Sequence, residues 1–228
     1  MCATYRMART AEIEAAIADD VEVNPFEDRD VYPGGMGALV RRDDDTGKRV
    51  VEPAVFGMIP HWSRDTKIVH STYNARSETV AEKPSFRTAW SKGRFCLIPM
   101  RWYYEPNYES GKPVRWSLKR KNTDIMCAAG IWSWWKGPGH EEGVASFSLL
   151  TVSAEGDPLL SRFHAPQDEK RTIVHIVPDE YDAWLSATPE LARAMLQMPN
   201  AEDMEVAPSP APPREKKVKI DKSSPLLD

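Results

Sequence analysis

A chain of 228 residues with 41% hydrophobic side chains is long enough for one large domain with a sizeable core. Its formal charge of -4 argues against a global basic field, so contact with nucleic acid would need a local patch. Three scattered cysteines without CxxC or Cys/His ligand spacing argue against a disulfide framework and a structural zinc site. No apolar run is long enough to span a membrane and no signal peptide is evident, so a cytoplasmic, nucleoid-associated monomer is expected.

In chain order, residues 10–20 read as a short amphipathic helix with Thr10 as N-cap. Pro33-Gly34-Gly35 reads as a turn before a strand through Ala38-Leu39-Val40, and Asp43 to Lys48 as a polar hairpin loop. Val50 to Met58 is the returning strand, interrupted by Pro53. Residues 84–92 read as a helix stopped at Gly93. Strands follow at Phe95–Pro99, Val114–Leu118, Ile125–Ile131, Ser146–Val152 and Thr172–Ile176, then helices at 179–186 and 189–197. Many short strands with a few helices predict a single α+β domain, with an antiparallel β-sheet or open barrel core and peripheral helices. That domain is expected over residues 1–200. Residues 205–228, rich in Pro, Ser and Lys, are expected to be a disordered tail.

The second residue carries the most chemistry. Methionine removal before a small residue would leave Cys2 with an α-amine and a thiol on adjacent carbons. These titrate near ~8 and ~8.5, so both are partly nucleophilic. An aldehyde held there can form a Schiff base with the amine, which the thiol closes into a five-membered thiazolidine. Taken alone, a Cys at position 2 is more often chance.

Four segments change that weighting. They are Met1-Cys2; Phe56-Gly57-Met58-Ile59-Pro60-His61-Trp62 with Asn74-Ala75-Arg76-Ser77-Glu78-Thr79; Arg94-Phe95-Cys96-Leu97-Ile98-Pro99 running into Trp102-Tyr103-Tyr104-Glu105; and Ser161-Arg162-Phe163-His164-Ala165-Pro166 with Asp168-Glu169-Lys170-Arg171. In this order, over residues 1 to about 186, the chain resembles the SOS response-associated peptidase (SRAP) family of abasic-site processing proteins. The resemblance implies binding of single-stranded DNA that contains abasic sites, and covalent capture of the exposed C1′ aldehyde by Cys2, with no metal and no cofactor. It also implies an enzyme with lyase activity and a peptidase label. By the same resemblance Cys2 is the nucleophile and Asn74 orients the sugar or the cysteine. Glu105 and His164 move protons, and Arg76 grips a flanking phosphate. Without the resemblance, Asn74 reads equally well as a turn cap, Arg76 as a surface partner of Glu78, and Glu105 as a surface carboxylate.

The chain departs from the family pattern at several positions. It begins Met1-Cys2-Ala3-Thr4-Tyr5-Arg6 where the family has Met-Cys-Gly-Arg, so Arg6 would stand in for the early arginine; positions 4 and 6 share a strand face. Val31-Tyr32-Pro33 replaces an Asn-Ala-Pro stretch, Ser63 follows Trp62 where some members have a second Trp, and Pro106 follows Glu105 where Trp is usual. Basic and aromatic side chains interleave from Trp62 to Arg101, a pattern suited to a single strand. The expected DNA contacts are Arg76, Trp62, Arg6, Arg87, Arg162 and Thr151. Two rivals remain open: a thiol peptidase using Cys2, and a single-stranded-DNA module in which Cys2 is incidental.

Overall fold

The computed structural model describes residues 2–17 and 26–211. Its strands are β1 (Tyr5–Met7), β2 (Asp30–Val31), β3 (Met36–Arg42), β4 (Arg49–Phe56), β5 (Asn74–Arg76) and β6 (Phe95–Asn107), followed by β7 (Val114–Arg120), β8 (Met126–Gly137), β9 (His140–Ser153), β10 (Arg171–Ile173), β11 (His175–Ile176) and β12 (Met204–Pro208). The helices are α1 (Thr10–Ile17), α2 (Val69–Thr72), α3 (Arg87–Ser91), α4 (Tyr181–Leu185) and α5 (Pro189–Met195).

Five strands close on themselves in the order β8-β9-β4-β3-β6, because β6 also pairs with β8 from Phe95↔Ile131 to Met100↔Met126. The α+β barrel core read from the sequence is therefore present, and it is closed. Most pairings are antiparallel, but β4 and β5 both lie parallel to β9. Those parallel seams join segments far apart in the chain, which no local hairpin signal reveals.

The closed barrel follows from strands apolar on both faces. In β6, Phe95 and Leu97 enter one core while Cys96, Ile98 and Met100 enter the other; β8 divides Cys127, Ala129 and Ile131 from Met126 and Ala128 in the same way. The first core is shared with α1, α3, α4 and α5. Trp184 anchors α4 there, tilted against Phe95 and donating to the Cys96 carbonyl at 2.8 Å. The second core holds Tyr5, Phe56 and Phe147, with Phe56 stacked on Phe147 at 5.3 Å. An aromatic pair of this kind contributes about 1 kcal/mol beyond its buried area.

Several sequence expectations need adjusting. Pro99 does not end β6, which runs on to Asn107 and exchanges β8 for β7 as its neighbour. Pro53 does not break β4, since β9 joins only at Val55 and a residue without an N–H is tolerated where one side is open. Thr10 is not an N-cap. Glu12 accepts from the Arg9 N–H at 2.9 Å, while the Thr10 hydroxyl accepts from the Phe26 N–H at 2.7 Å. The segment 172–176 splits into β10 on β9 and β11 on β8, with Val174 bonded to Leu150 and Ala129 at the crossing. Ordered structure also extends past residue 200. Met204–Pro208 form β12 along β7, where Met204 and Val206 reach the second core, so the first residues of the expected tail are held as an edge strand. Residues 212–228, the rest of the expected tail, lie outside the described residues, as do 18–20 at the end of the first expected helix.

Candidate active site

Cys2 lies just before β1, and its neighbours are stitched to β6. The Thr4 carbonyl accepts from the Tyr104 N–H at 3.0 Å and from the Cys2 thiol at 3.5 Å. Asn74, at the start of β5, donates its amide to the Cys2 carbonyl at 2.8 Å. Two elements far apart in sequence thus fix the backbone of one residue. The Asn74 Oδ1 atom is buried and has no partner among the described residues, so it is available to a hydroxyl.

Burial pushes the Cys2 thiol far above its ordinary range, and the negative charge of Glu105 pushes it further. At neutral pH the resting group is a thiol, not a thiolate. Tyr5, Tyr73 and Tyr103 surround the same region, and burial raises each of their hydroxyls as well. Gly37 is needed here because a Cβ would fall on the Tyr5 hydroxyl.

Glu105 is buried at 2% exposure, one residue beyond Tyr104 on β6. Its Oε2 lies 3.0 Å from His164 Nε2. His164 reaches it by an unusual route. Phe163 forms a bridge with Asn107, the His164 N–H donates to the Pro106 carbonyl at 2.7 Å, and the His164 backbone sits at φ 72°. A left-handed non-glycine residue needs external support. Lys170 supplies it, donating its ammonium to the His164 carbonyl at 3.2 Å and the Ala165 carbonyl at 2.6 Å. The strand contacts of Pro106 therefore have a use: its carbonyl is the anchor of His164.

Arg76 shares a strand face with Asn74. It is exposed and pairs with Glu169 at 2.9 Å, not with Glu78. Glu78 and Glu169 both bind Arg171, at 2.8 and 2.5 Å. Arg171 is buried and also donates to the Thr151 carbonyl and hydroxyl. This corrects the reading of Thr151, which lies at 1% exposure and holds Arg171 instead of facing a strand. Nothing in the local sequence separates Lys170 and Arg171 from an ordinary charged loop.

The other expected contacts are distributed around the surface. Arg6 is engaged by Asp28 at 2.6 Å and Asp30 at 3.3 Å. Arg162 makes a two-pronged bond to Glu109, 2.8 Å on each prong, and lies over the Trp116 ring. Trp62 is 49% exposed, with its indole N–H donating to the Pro84 carbonyl, three residues before the exposed Arg87. Buried Trp135 donates to the Ser63 carbonyl at 2.8 Å and so anchors the Trp62 loop, a role the run Trp132-Ser133-Trp134-Trp135 does not announce.

Among the described residues no three His, Cys, Asp or Glu side chains are arranged to hold a metal. No helix among them is long and apolar enough to cross a membrane. A cavity of about 650 Å³ is lined by α1, Ile125 and Tyr181 and contains none of Cys2, Asn74, Glu105 or His164.

The family model described as SOS response associated peptidase (SRAP) matches residues 1–211, and the chain belongs to that family. It is 29% identical over 154 residues to the abasic site processing protein YoqW of Bacillus subtilis, a match spanning 66% of this chain and 65% of that protein. It is 25% identical over 142 residues to the abasic site processing protein HMCES of Pongo abelii, covering 50% of this chain and 40% of the relative. The chain thus spans less than two thirds of the length of these relatives. A crystal structure of a Bordetella bronchiseptica protein superposes with a TM-score of 0.82 at 29% identity, covering 92% of this chain and all of the other.

Proposed function

We propose that this chain processes abasic sites in single-stranded DNA by covalent capture on Cys2. The observation that carries the reading is the 2.8 Å bond from Asn74 to the Cys2 carbonyl, which holds Cys2 within the electrostatic reach of Glu105 and its partner His164. The curated relatives named as abasic site processing proteins support it.

With Met1 removed, the α-amine adds to the C1′ aldehyde and the resulting carbinolamine loses water to give a Schiff base. The thiol sulfur then bonds to C1′ and its proton ends on the amine nitrogen, closing a thiazolidine. One water is released overall. A protonated resting thiol suits this order, because the amine acts first. His164 donates a proton to the departing hydroxyl, and Glu105 takes the thiol proton as the C–S bond forms and passes it on to the amine nitrogen. Asn74 Oδ1 receives a sugar hydroxyl, and Arg76 holds a flanking phosphate once Glu169 yields it. Arg6, Arg87, Arg162 and Trp62 extend the track for phosphates and bases. The Schiff base also acidifies the C2′ proton, whose loss expels the 3′ phosphate by cleavage of the C3′–O bond, a lyase outcome that ring closure suppresses. The protein acts as a monomer on nucleoid DNA in the cytoplasm, shielding the lesion.

The test is incubation of Met1-processed protein with an abasic oligonucleotide. A heat-stable shifted band that disappears in Cys2→Ala is expected; equal crosslinking by Cys2→Ala sinks the mechanism. A thiol peptidase would cleave peptides without DNA. A passive binding module would hold intact and abasic strands equally and form no covalent product.

A further inference from the structure

At the opposite end of β6 from Glu105 is a second concentration of charge. Arg42, Lys92 and Arg94 line a cavity of about 420 Å³ together with Asp44, Phe95 and Trp132. Phe95 and Glu105 are ten residues apart on one strand, roughly 30 Å along it. This cavity is therefore distinct from the Cys2 site.

The charges in it are unbalanced. Several arginines elsewhere are held by carboxylates, among them Arg6 by Asp28, Arg76 by Glu169, Arg162 by Glu109 and Arg171 by Glu78. Arg42, Lys92 and Arg94 form no ion pair among the described residues. The acids nearby are already engaged, Glu52 by Arg41 at 2.8 Å and Asp182 by Arg49 at 2.8 Å. Asp44 is the one carboxylate lining the cavity, against three cations. On a chain of net charge -4 this is a local reversal of sign.

The cavity is also partly preorganised. The Trp132 ring has the Arg41 guanidinium and the Arg94 guanidinium each 5.2 Å from its centroid. Stacking limits the rotamers of Arg94, and the Trp132 N–H donates to the Arg94 carbonyl at 3.0 Å. A planar guanidinium fixed at its flank, with two further exposed cations lining the same cavity, is suited to a tetrahedral oxyanion.

We propose that this cavity is a phosphate-binding site separate from the Cys2 site. Its ligand is a phosphate group, either free in solution or in the backbone of a DNA strand passing round the barrel. Three cations would neutralise one phosphate dianion or bridge two adjacent phosphodiesters. The site does not depend on the Cys2 chemistry.

The test uses full-length Cys2→Ala protein, which cannot trap DNA covalently. Inorganic phosphate and an intact single-stranded oligonucleotide are titrated separately by calorimetry. They are compared with Lys92→Gln and Arg42→Gln, both exposed and dispensable for packing, and with Arg94→Gln. A free-phosphate site predicts that phosphate binds and that its affinity falls roughly tenfold in Arg94→Gln, the share of one charge-assisted contact. A backbone site predicts weak phosphate binding, with each substitution reducing the salt slope of oligonucleotide binding by about one. Either result supports the site. If both titrations are identical in the parent and all three variants, the proposal is overturned, whatever the wild-type protein does with an abasic strand.

Discussion

Glu105 Oε2 and His164 Nε2 lie 3.0 Å apart, and both side chains are almost fully buried. Glu105 also bears electrostatically on the Cys2 thiol and raises its pKa. One carboxylate therefore touches the imidazole and acts electrostatically on the sulfur, and the proposed mechanism makes it the acceptor of the thiol proton. Its conversion to the amide should move two measurements in opposite directions. In Glu105→Gln, loss of the charge makes the Cys2 thiol easier to ionise, so ultraviolet thiolate absorbance, corrected with Cys2→Ala, should appear at lower pH. Loss of the proton acceptor should slow crosslinking by about 100-fold. A variant that crosslinks at the wild-type rate would remove Glu105 from the chemistry.

Lys170 should matter without touching the lesion. Its ammonium binds the carbonyls of His164 and Ala165, and the His164 backbone it supports is left-handed. Lys170→Met keeps the aliphatic stem and removes the donors. The expected result is an unchanged melting curve with crosslinking slowed by about 10- to 100-fold, since small misplacements of a proton donor are costly. Lys170→Arg restores donors and should recover much of the rate. On the proposal that His164 serves the Schiff-base step, the pH profile of crosslinking should also change in Lys170→Met. Wild-type rate and profile in that variant would make Lys170 a surface lysine.

How much of this was legible in the sequence depended on the range of the contact. Asn74 and Arg76 were singled out by resemblance, but the short strand that puts them on one face was not read from the sequence. The longer strands were recognisable from apolar runs and the short β1, β2 and β5 were not, while the closure of the barrel rests on β6 meeting β8, and its parallel seams join β4 and β5 to β9. No local pattern encodes those pairings. His164 was identified by resemblance, but its approach to Glu105 needs the Asn107–Phe163 bridge and a positive φ, which composition does not signal. Thr151 was misread because an alternating strand does not reveal which face a buried arginine will occupy. β12 was missed because it runs into a Pro-rich stretch that resembles a tail, although an edge strand tolerates its one proline, Pro208.

Glu109 should act as a brake on strand binding. It grips Arg162 by both prongs, and that guanidinium together with Asn107 pulls its carboxyl down to about 2. A phosphate must displace it. Glu109→Gln weakens the grip while Arg162 remains over Trp116. Affinity for an intact single strand should rise several-fold, and the salt dependence should steepen by about one unit of slope as Arg162 becomes available. Unchanged affinity and slope by fluorescence anisotropy would show that Arg162 does not meet phosphate.

His175 links the fold to pH. Both ring nitrogens are buried without a partner among the described residues, and the ring meets Tyr103 edge-on at 5.7 Å. Burial, aided by the charge of Arg120, lowers its pKa from 6.5 to about 3. The folded state therefore holds the ring neutral where the unfolded chain protonates it. The direction follows from linkage: the unfolded state binds more protons between those values, so stability is complete above pH 6.5 and declines as pH falls toward about 3. The loss is at most ~1.4 kcal/mol per pH unit. Urea unfolding at neutral pH and at two mildly acidic values should show the decline in wild-type protein. His175→Phe, similar in shape and unable to protonate, should flatten it over that window while leaving crosslinking at neutral pH unchanged. A variant with the wild-type slope would assign the acid sensitivity to the carboxylates of the ion pairs instead.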